Sequence, residues 1–316
     1  MPLRSAALAV FLGPALLLGA CGSSPARVSG TANVAYAGSL ELVMQRDLGP
    51  AFTRHTGYRY EGRGAGALGL AQEIRAGEIQ ANVFLSVGSG PVSLLEPRYT
   101  SWAVEFASSP LVVAYYPKGP YAAELGRIAS GKLPLAELFQ FLARPGFRLG
   151  RTDPATDPQG QDFAMMFQLA ERELGVPAAT VAADLAQGPA QIYPETALEA
   201  QLQAGQLDAA SAFRSQAEQL HLPYVPLPPT LSFGDPRDAG QYAAASVRIS
   251  PTRVVHGFPL VLEATTLGTR DRAAAVAFIR YLLSPAGREI LTHDGYSLVP
   301  LKILGAAAAA PALASQ

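Results

Sequence analysis

Residues 36–87 hold the two turns that decide the fold, Ala37-Gly38-Ser39-Leu40 and Gly62-Arg63-Gly64-Ala65-Gly66-Ala67-Leu68. Each follows a short run of strand character, Val34-Ala35-Tyr36 and Tyr58-Arg59-Tyr60, and each opens into a segment of helical character. A strand that restarts as a helix through small residues points the first N–H groups of that helix outward, here with a serine hydroxyl beside them. Two such turns suit a small oxyanion held without a formal positive charge.

The first residues set the compartment. Arg4 stands in a short n-region, residues 6–20 form an apolar run too short to span a bilayer, and small residues lead to Cys21. Residues 1–20 therefore read as a signal peptide. Leu18-Gly19-Ala20-Cys21 resembles a bacterial lipobox, in which the cysteine becomes the lipidated start of the mature chain; the plainer alternative is an ordinary signal peptide with an incidental cysteine. Cys21 is the single cysteine, so it has no internal disulfide partner, and lipidation gives it a role. Residues 21–31, rich in Ser, Gly and Pro, read as a tether. A formal net charge of -1 and an aromatic content of 8% create no field that draws the chain to nucleic acid or to an anionic membrane. Roughly 295 residues follow the processing point, enough for two domains with real cores.

Downstream the pattern alternates. Residues 34–37 read as a strand, 40–56 as a helix, 58–60 as a strand, 67–76 as a helix and 82–87 as a third strand. Such alternation implies a mostly parallel sheet. Residues 111–116 form a strand ended by Pro117-Lys118-Gly119 and read as the first crossing into a second domain. There residues 147–150 precede an Asp- and Pro-rich turn, a helix over 162–174, and strands at 209–213 and 224–227. Residues 259–263 carry the chain back, and helices over 271–284 and 285–292 close the first domain. The expected organisation is lobe I over 32–112 and 258–304, lobe II over 113–257, and a flexible alanine-rich tail over 305–316.

Ala37-Gly38-Ser39-Leu40, Gly64-Ala65-Gly66-Ala67-Leu68 with Ala71-Gln72-Glu73-Ile74, and Val83-Phe84-Leu85-Ser86 stand in order with Arg151-Thr152-Asp153-Pro154-Ala155-Thr156-Asp157-Pro158-Gln159-Gly160. Gln206-Leu207-Asp208-Ala209-Ala210, Phe213-Arg214-Ser215-Gln216-Ala217 and Gly257-Phe258-Pro259-Leu260 follow. Together, from about residue 34 to residue 300, these runs resemble the molybdate/tungstate-type substrate-binding proteins of ABC transporters. The resemblance implies an α/β, two-lobed type II periplasmic-binding-protein fold: two mostly parallel sheets with helices on both faces, joined by two crossing strands. It implies closure over a tetrahedral oxyanion, molybdate or tungstate first, and delivery to an ABC permease, without catalysis, cofactor or nucleic acid. Membrane contact is expected only through the lipid anchor, and one cleft per chain suits a monomer.

Carried over by position, Gly38 and Ser39 supply backbone N–H groups and a hydroxyl, and Gly66 and Ala67 add N–H donors. Asp157 aligns with a carboxylate that approaches the metal in the archaeal tungstate-binding branch, and Gln159 and Gly160 open the following helix. Relatives often have Ser or Thr at Ala67 and Tyr at Phe213, and the archaeal branch has Glu at Ala212. Two hydroxyls and a carboxylate are therefore missing here, and each buried charge-assisted bond is worth roughly 1.5–3 kcal/mol. A four-coordinate oxyanion held by hydrogen bonds is expected over a six-coordinate metal. Capping accounts for some of the same residues, Ser39 for its helix and Asp153 and Asp157 for the turn and helix they precede.

Rival classes have less support. Gly64-Ala65-Gly66-Ala67-Leu68-Gly69 satisfies the dinucleotide fingerprint formally, but the next strand ends in Ser86, Val87 and Gly88 rather than in an acid for the ribose. His55, His221, His256 and His293 lack ligand spacing. Gly88-Ser89-Gly90 lacks the full nucleophile elbow. Tyr115-Tyr116, the candidates for ferric iron, lie in the expected crossing strand and read as core. Sulfate, phosphate, ferric iron and a lipoprotein without transport stand as alternatives.

Overall fold

The computed structural model describes residues 29–180, 191–268 and 270–310. Cys21, the signal peptide and all but the end of the tether lie outside the described residues.

Strand β1 (Thr31–Ala37) lies between β2 (Arg59–Ala65) and β3 (Val83–Val87), parallel to both. Nearly all of β1 and all of β3 is buried, which explains continuous apolar runs in place of alternation. Past β3 the sheet continues with β11 (Val261–Thr266), β4 (Trp102–Ser108) and β12 (Ser297–Gly305), giving the order β12-β4-β11-β3-β1-β2, and each of the added pairings is antiparallel. A four-stranded sheet has the order β6-β7-β5-β8, from β5 (Leu111–Tyr115), β6 (Leu149–Gly150), β7 (Ala209–Phe213) and β8 (Tyr224–Pro226). Its β5 is antiparallel to both neighbours, and only β6 and β7 are parallel. Both sheets are thus mixed, not mostly parallel. The reason is the route of the chain: β4 leaves the large sheet at the edge where β1 and β3 end, and β11 re-enters at that same edge, so it must run backwards.

The crossings themselves are short. Strand β5 pairs along its whole length inside the small sheet and β11 inside the large one, so the chain passes between sheets at residues 109–110 and 257–260 rather than through strands at 111–116 and 259–263. Tyr115 is buried within β5, as its core reading requires.

After β1 comes a helical run expected as one helix over 40–56. It consists of a 3-10 turn (Gly38–Leu40), an α-turn (Glu41–Val43), a π-turn (Met44–Leu48) and helix α1 (Gly49–Thr56). Pro50 explains the widened turn, since its ring crowds the carbonyl four residues back and it has no N–H to give. The second turn is shorter than expected. Strand β2 continues to Ala65, with Gly62 opposite Val34 and Gly64 opposite Tyr36, so only Gly66 separates it from α2 (Ala67–Ala76). A Cβ on Gly62 would lie 2.9 Å from Tyr36 Cε1 and one on Gly64 2.7 Å from Tyr36 Cε2. These glycines make room for side chains packed on the sheet, Tyr36 at both, with the Tyr60 hydroxyl at Gly62 and the Glu41 carboxyl at Gly64; they do not turn the chain.

Helix α3 (Pro158–Leu174) begins four residues before its expected start, because Asp157 and Pro158 form an N-cap and first-turn pair. Helix α4 (Glu195–Gln203) leads to β7, and α5 (Arg214–Gln219) follows it. A two-stranded ribbon of β9 (Ser246–Ser250) and β10 (Arg253–His256) precedes the return crossing, and α6 (Arg272–Leu283) and α7 (Pro285–His293) precede β12. The sequence pattern hid β12, whose Pro300 breaks the run; a register shift between Leu298 and Lys302 takes the proline out of the ladder. Residues 305–310, expected to be loose, end β12 and form a turn, with Ala306 N–H bonded to Ser101 O at 2.7 Å.

The return crossing is tightly packed. A Cβ on Gly257 would run into Tyr242 O and lie 2.9 Å from Phe233 Cε1. Gly257→Ala is therefore expected to cost about 1–3 kcal/mol in urea denaturation. Wild-type stability would show that this crossing has slack.

Candidate functional site

The parallel register puts Ala37 opposite Ala65, so Gly38 and Gly66 leave the sheet side by side, and Gly88 follows β3 at the same edge. The crevice beyond the carboxyl ends of parallel strands is where open α/β sheets bind ligands. Here the small sheet covers that edge and brings α3, α4 and α5 to it.

Ser39 is 2% exposed, and its buried hydroxyl has no hydrogen-bond partner among the described residues. Its carbonyl accepts the Tyr296 hydroxyl at 2.7 Å, which ties the first turn to the start of β12. Its N–H faces the carboxyl of Glu195 and favours the ionised form. Asp157 is 5% exposed and accepts the Gln159 N–H at 2.8 Å, so the capping reading holds in this structure. Asp153 caps too, accepting the Ala155 N–H at 2.9 Å. A Cβ on Gly66 would lie 3.5 Å from Asp157 Oδ2 and 2.9 Å from Thr156 O. Thr156 O accepts the N–H groups of Leu68 and Gly69 at 3.2 and 3.3 Å, so the turn before α3 closes the second helix start. Ala67 is buried at that start. Gly160 packs under the preceding turn, where a Cβ would meet Thr152 O at 2.5 Å.

The side chain of Gln159 is fixed on several sides. Its Oε1 accepts the Ser211 hydroxyl at 2.7 Å, and its Nε2 donates to Gln216 Oε1 at 3.2 Å and to Glu195 Oε1 at 3.3 Å. Gln216 in turn accepts the Phe213 N–H at 2.9 Å and donates to Glu195 Oε1 at 2.8 Å. Phe213 itself is buried at the end of β7. The structure thus brings Gly38, Ser39, Gly66, Asp157, Gln159 and Phe213 to one junction, and it adds Glu195 and Gln216, which the sequence reading missed. Gln216 carried a usable signal, since a glutamine three residues into a helix is half of a capping box. Glu195 carried none beyond opening a helix after Pro194. Glu195 adds a carboxyl near Asp157 from α4, an element other than β7, where Ala212 stands. Arg63 pairs with Glu73 at 2.8 Å and Arg214 bonds to Ser297 at 2.7 Å; neither donates to this network.

The junction is rich in carboxyls. Burial pushes Asp157 up to about 7, against the bond from the Gln159 N–H and with the help of Asp153. Burial pushes Glu195 well above the usual range, and Asp157 and Glu199 add to the shift. Glu199 is pushed to about 8 by burial and by Glu41. These groups are neutral when protonated, so below about pH 7 the junction presents dipoles in place of net charge.

Two sheets bridged twice at one edge, with polar groups of both meeting there, constitute the type II periplasmic-binding-protein fold. A periplasmic molybdate-binding protein of Azotobacter vinelandii shares it, with a TM-score of 0.54 and 18% identity over 85% of this chain and 99% of that one. The chain belongs to the bacterial extracellular solute-binding protein family, whose model matches residues 32–297. It is 32% identical over 268 residues, 85% of this chain and 82% of the relative, to a Haloferax volcanii protein provisionally named an ABC transporter molybdenum-binding protein. It is 28% identical to a molybdate/tungstate-binding protein of Pyrococcus abyssi, over 64% of this chain and 63% of that one. This is a solute-binding protein and not an enzyme. The dinucleotide fingerprint falls for a structural reason, because its first glycine, Gly64, lies inside the β1–β2 ladder.

Asp157 makes a pH prediction. Its folded pKa is raised, so between about pH 4 and about pH 7 the folded chain keeps a proton that the unfolded chain has lost, and stability falls as pH rises through that window. One such group contributes a slope of about 1.4 kcal/mol per pH unit at most. Asp157→Asn should flatten the fall measured by denaturant titration from pH 4.5 to 7.5. An identical slope in wild type and variant would assign the effect to other carboxyls.

Proposed function

We propose that this chain is the exported, substrate-binding component of an ABC transporter, that it captures a tetrahedral oxyanion, molybdate or tungstate, at the junction of its two sheets, and that it hands the anion to a membrane permease. The observation that carries the reading is the buried Ser39 hydroxyl, without a partner among the described residues, in the turn against which Glu195 and the amides bonded to it, Gln159 and Gln216, are packed. A hydroxyl in that position needs an acceptor, and a four-oxygen anion supplies one. Family membership and the names of the relatives support the ligand class and export.

In this reading Gly38, Ser39, Gly66 and Ala67 approach the anion from the large sheet. Asp157, Gln159, Gly160 and Phe213 approach it from the small one. The large sheet and its helices act as lobe I and the small one as lobe II, swinging about residues 109–110 and 257–260, and the anion shifts the population only by its preference for the closed form. The lipobox-like junction at Cys21 supports anchoring of the mature chain to a membrane surface, and a site built from one chain supports a monomer.

Thermal melting of the purified protein, freed of carried-over anion, tests the reading with molybdate, tungstate, sulfate, phosphate and ferric citrate in separate samples. A ligand present at a hundredfold its Kd adds about 2.7 kcal/mol. A selective rise with molybdate or tungstate is expected; a rise with sulfate, phosphate or iron alone would reassign the ligand, and no rise with any would remove the reading. Ser39→Ala should weaken molybdate binding about tenfold in titration calorimetry, the loss of one charge-assisted bond. Unchanged affinity would take Ser39 out of the site.

A further inference from the structure

Glu195 holds a place that the capture reading does not use. Its Oε1 accepts from Gln216 at 2.8 Å and from Gln159 at 3.3 Å, and the Ser39 N–H faces its carboxyl. It presses against the first turn so closely that a Cβ on Gly38 would lie 3.0 Å from its Cδ. The two amide side chains that donate to it, with a backbone N–H of the first turn facing it, are the neutral donors that hold an oxyanion. A carboxyl has two oxygens where a tetrahedral anion has four, and one donor of the junction, the Ser39 hydroxyl, is left over.

We propose that the Glu195 carboxyl is a built-in stand-in for the ligand: it occupies the anion seat, and an oxyanion enters by displacing it. The proposal rests on the oxyanion reading given above. The exchange is favourable in hydrogen bonds, because the anion takes the same donors and adds Ser39 Oγ. It is exclusive, because the anion and the seated carboxyl need the same donors. The groups that face Glu195 point the same way. Asp157 at the start of α3 and Glu199 on its own helix are acidic, Glu41 on the turn after Ser39 acts on Glu199, and the Tyr296 phenol, bonded to the Ser39 carbonyl, lies within electrostatic reach. With these neighbours the seated carboxyl is held protonated, in agreement with its raised pKa. Displacement to water lets it ionise, so capture releases a proton from Glu195. The stand-in therefore weakens binding by the cost of moving it, and it keeps the buried donors satisfied while no anion is held.

The test is calorimetric titration of the purified protein with sodium molybdate at pH 7, in two buffers of different ionisation enthalpy, for wild type, Glu195→Ala and Glu195→Gln. Glu195→Ala should bind molybdate about tenfold more tightly than wild type. Wild type should release close to one more proton per molybdate than Glu195→Gln, a difference in which the contribution of Asp157 cancels. Melting curves establish that each variant is folded, and should Glu195→Ala fail to fold, the proton difference between wild type and Glu195→Gln decides alone. Wild type that binds while Glu195→Ala binds equally or more weakly would overturn the stand-in and leave the oxyanion reading intact, as would an equal proton count in wild type and Glu195→Gln. Binding by Glu195→Ala alone would support it in its strongest form, a seat held shut. No binding by any of them would overturn both.

Discussion

The parallel pairing of β1 with β2 and β3 is the constraint from which the rest follows. It ends three strands at one edge and starts two helical segments there, at Gly38 and Gly66, in register. The glycines of β2 make the pairing possible, since Tyr36, together with Tyr60 at Gly62 and Glu41 at Gly64, fills the space that side chains there would need. Because β4 departs and β11 returns at the same edge, the small sheet can only be hung there, and its helices are carried to the helix starts of the large one. The mixed direction of the strands is a by-product of that route.

What meets at the edge is a set of dipoles and carboxyls. Arginine or lysine would attract an anion more strongly, but a fixed cation would also hold any anion of suitable size. Neutral donors in a buried place reward only a ligand whose oxygens match their directions, and the reward is large because an unmatched donor is costly there. The acidic side chains fit this scheme only when protonated, and burial without a cationic partner is what protonates them.

Local chemistry was readable in the sequence, and spatial assembly was not. The helix 67–76 and the strand 209–213 match their expected limits to the residue, because each is bounded by its own signals: Gly66 and Gly77 for the helix, Asp208 and a change of period for the strand. Ser39 and Asp157 could be proposed because a turn before a helix is a local pattern, and their capping reading belongs to the same pattern. The strand β12 was hidden by Pro300, which argues against a strand until the neighbouring bulge is known. Mostly parallel sheets were expected because alternation says nothing of the direction in which a chain re-enters. Glu195 is unreadable in principle from its neighbours in sequence, since its partners come from the turn after β1, from α3 and from α5.

The polarity of the junction is nonetheless written into the backbone. The N–H of Phe213 can only donate, so the Gln216 side chain must turn its oxygen toward it and its nitrogen toward Glu195. Gln216 Oε1 then also needs a donor from Gln159, and the Ser211 hydroxyl donates to the oxygen that this leaves on the other side. Neither amide can flip without leaving two buried groups facing like partners. A main-chain donor at the end of β7 thus fixes two side-chain donors several ångströms away, and the seat they form accepts a negative oxygen and refuses a cation. The direction of strand β7 and the identity of residue 216 together choose the sign of what can sit there.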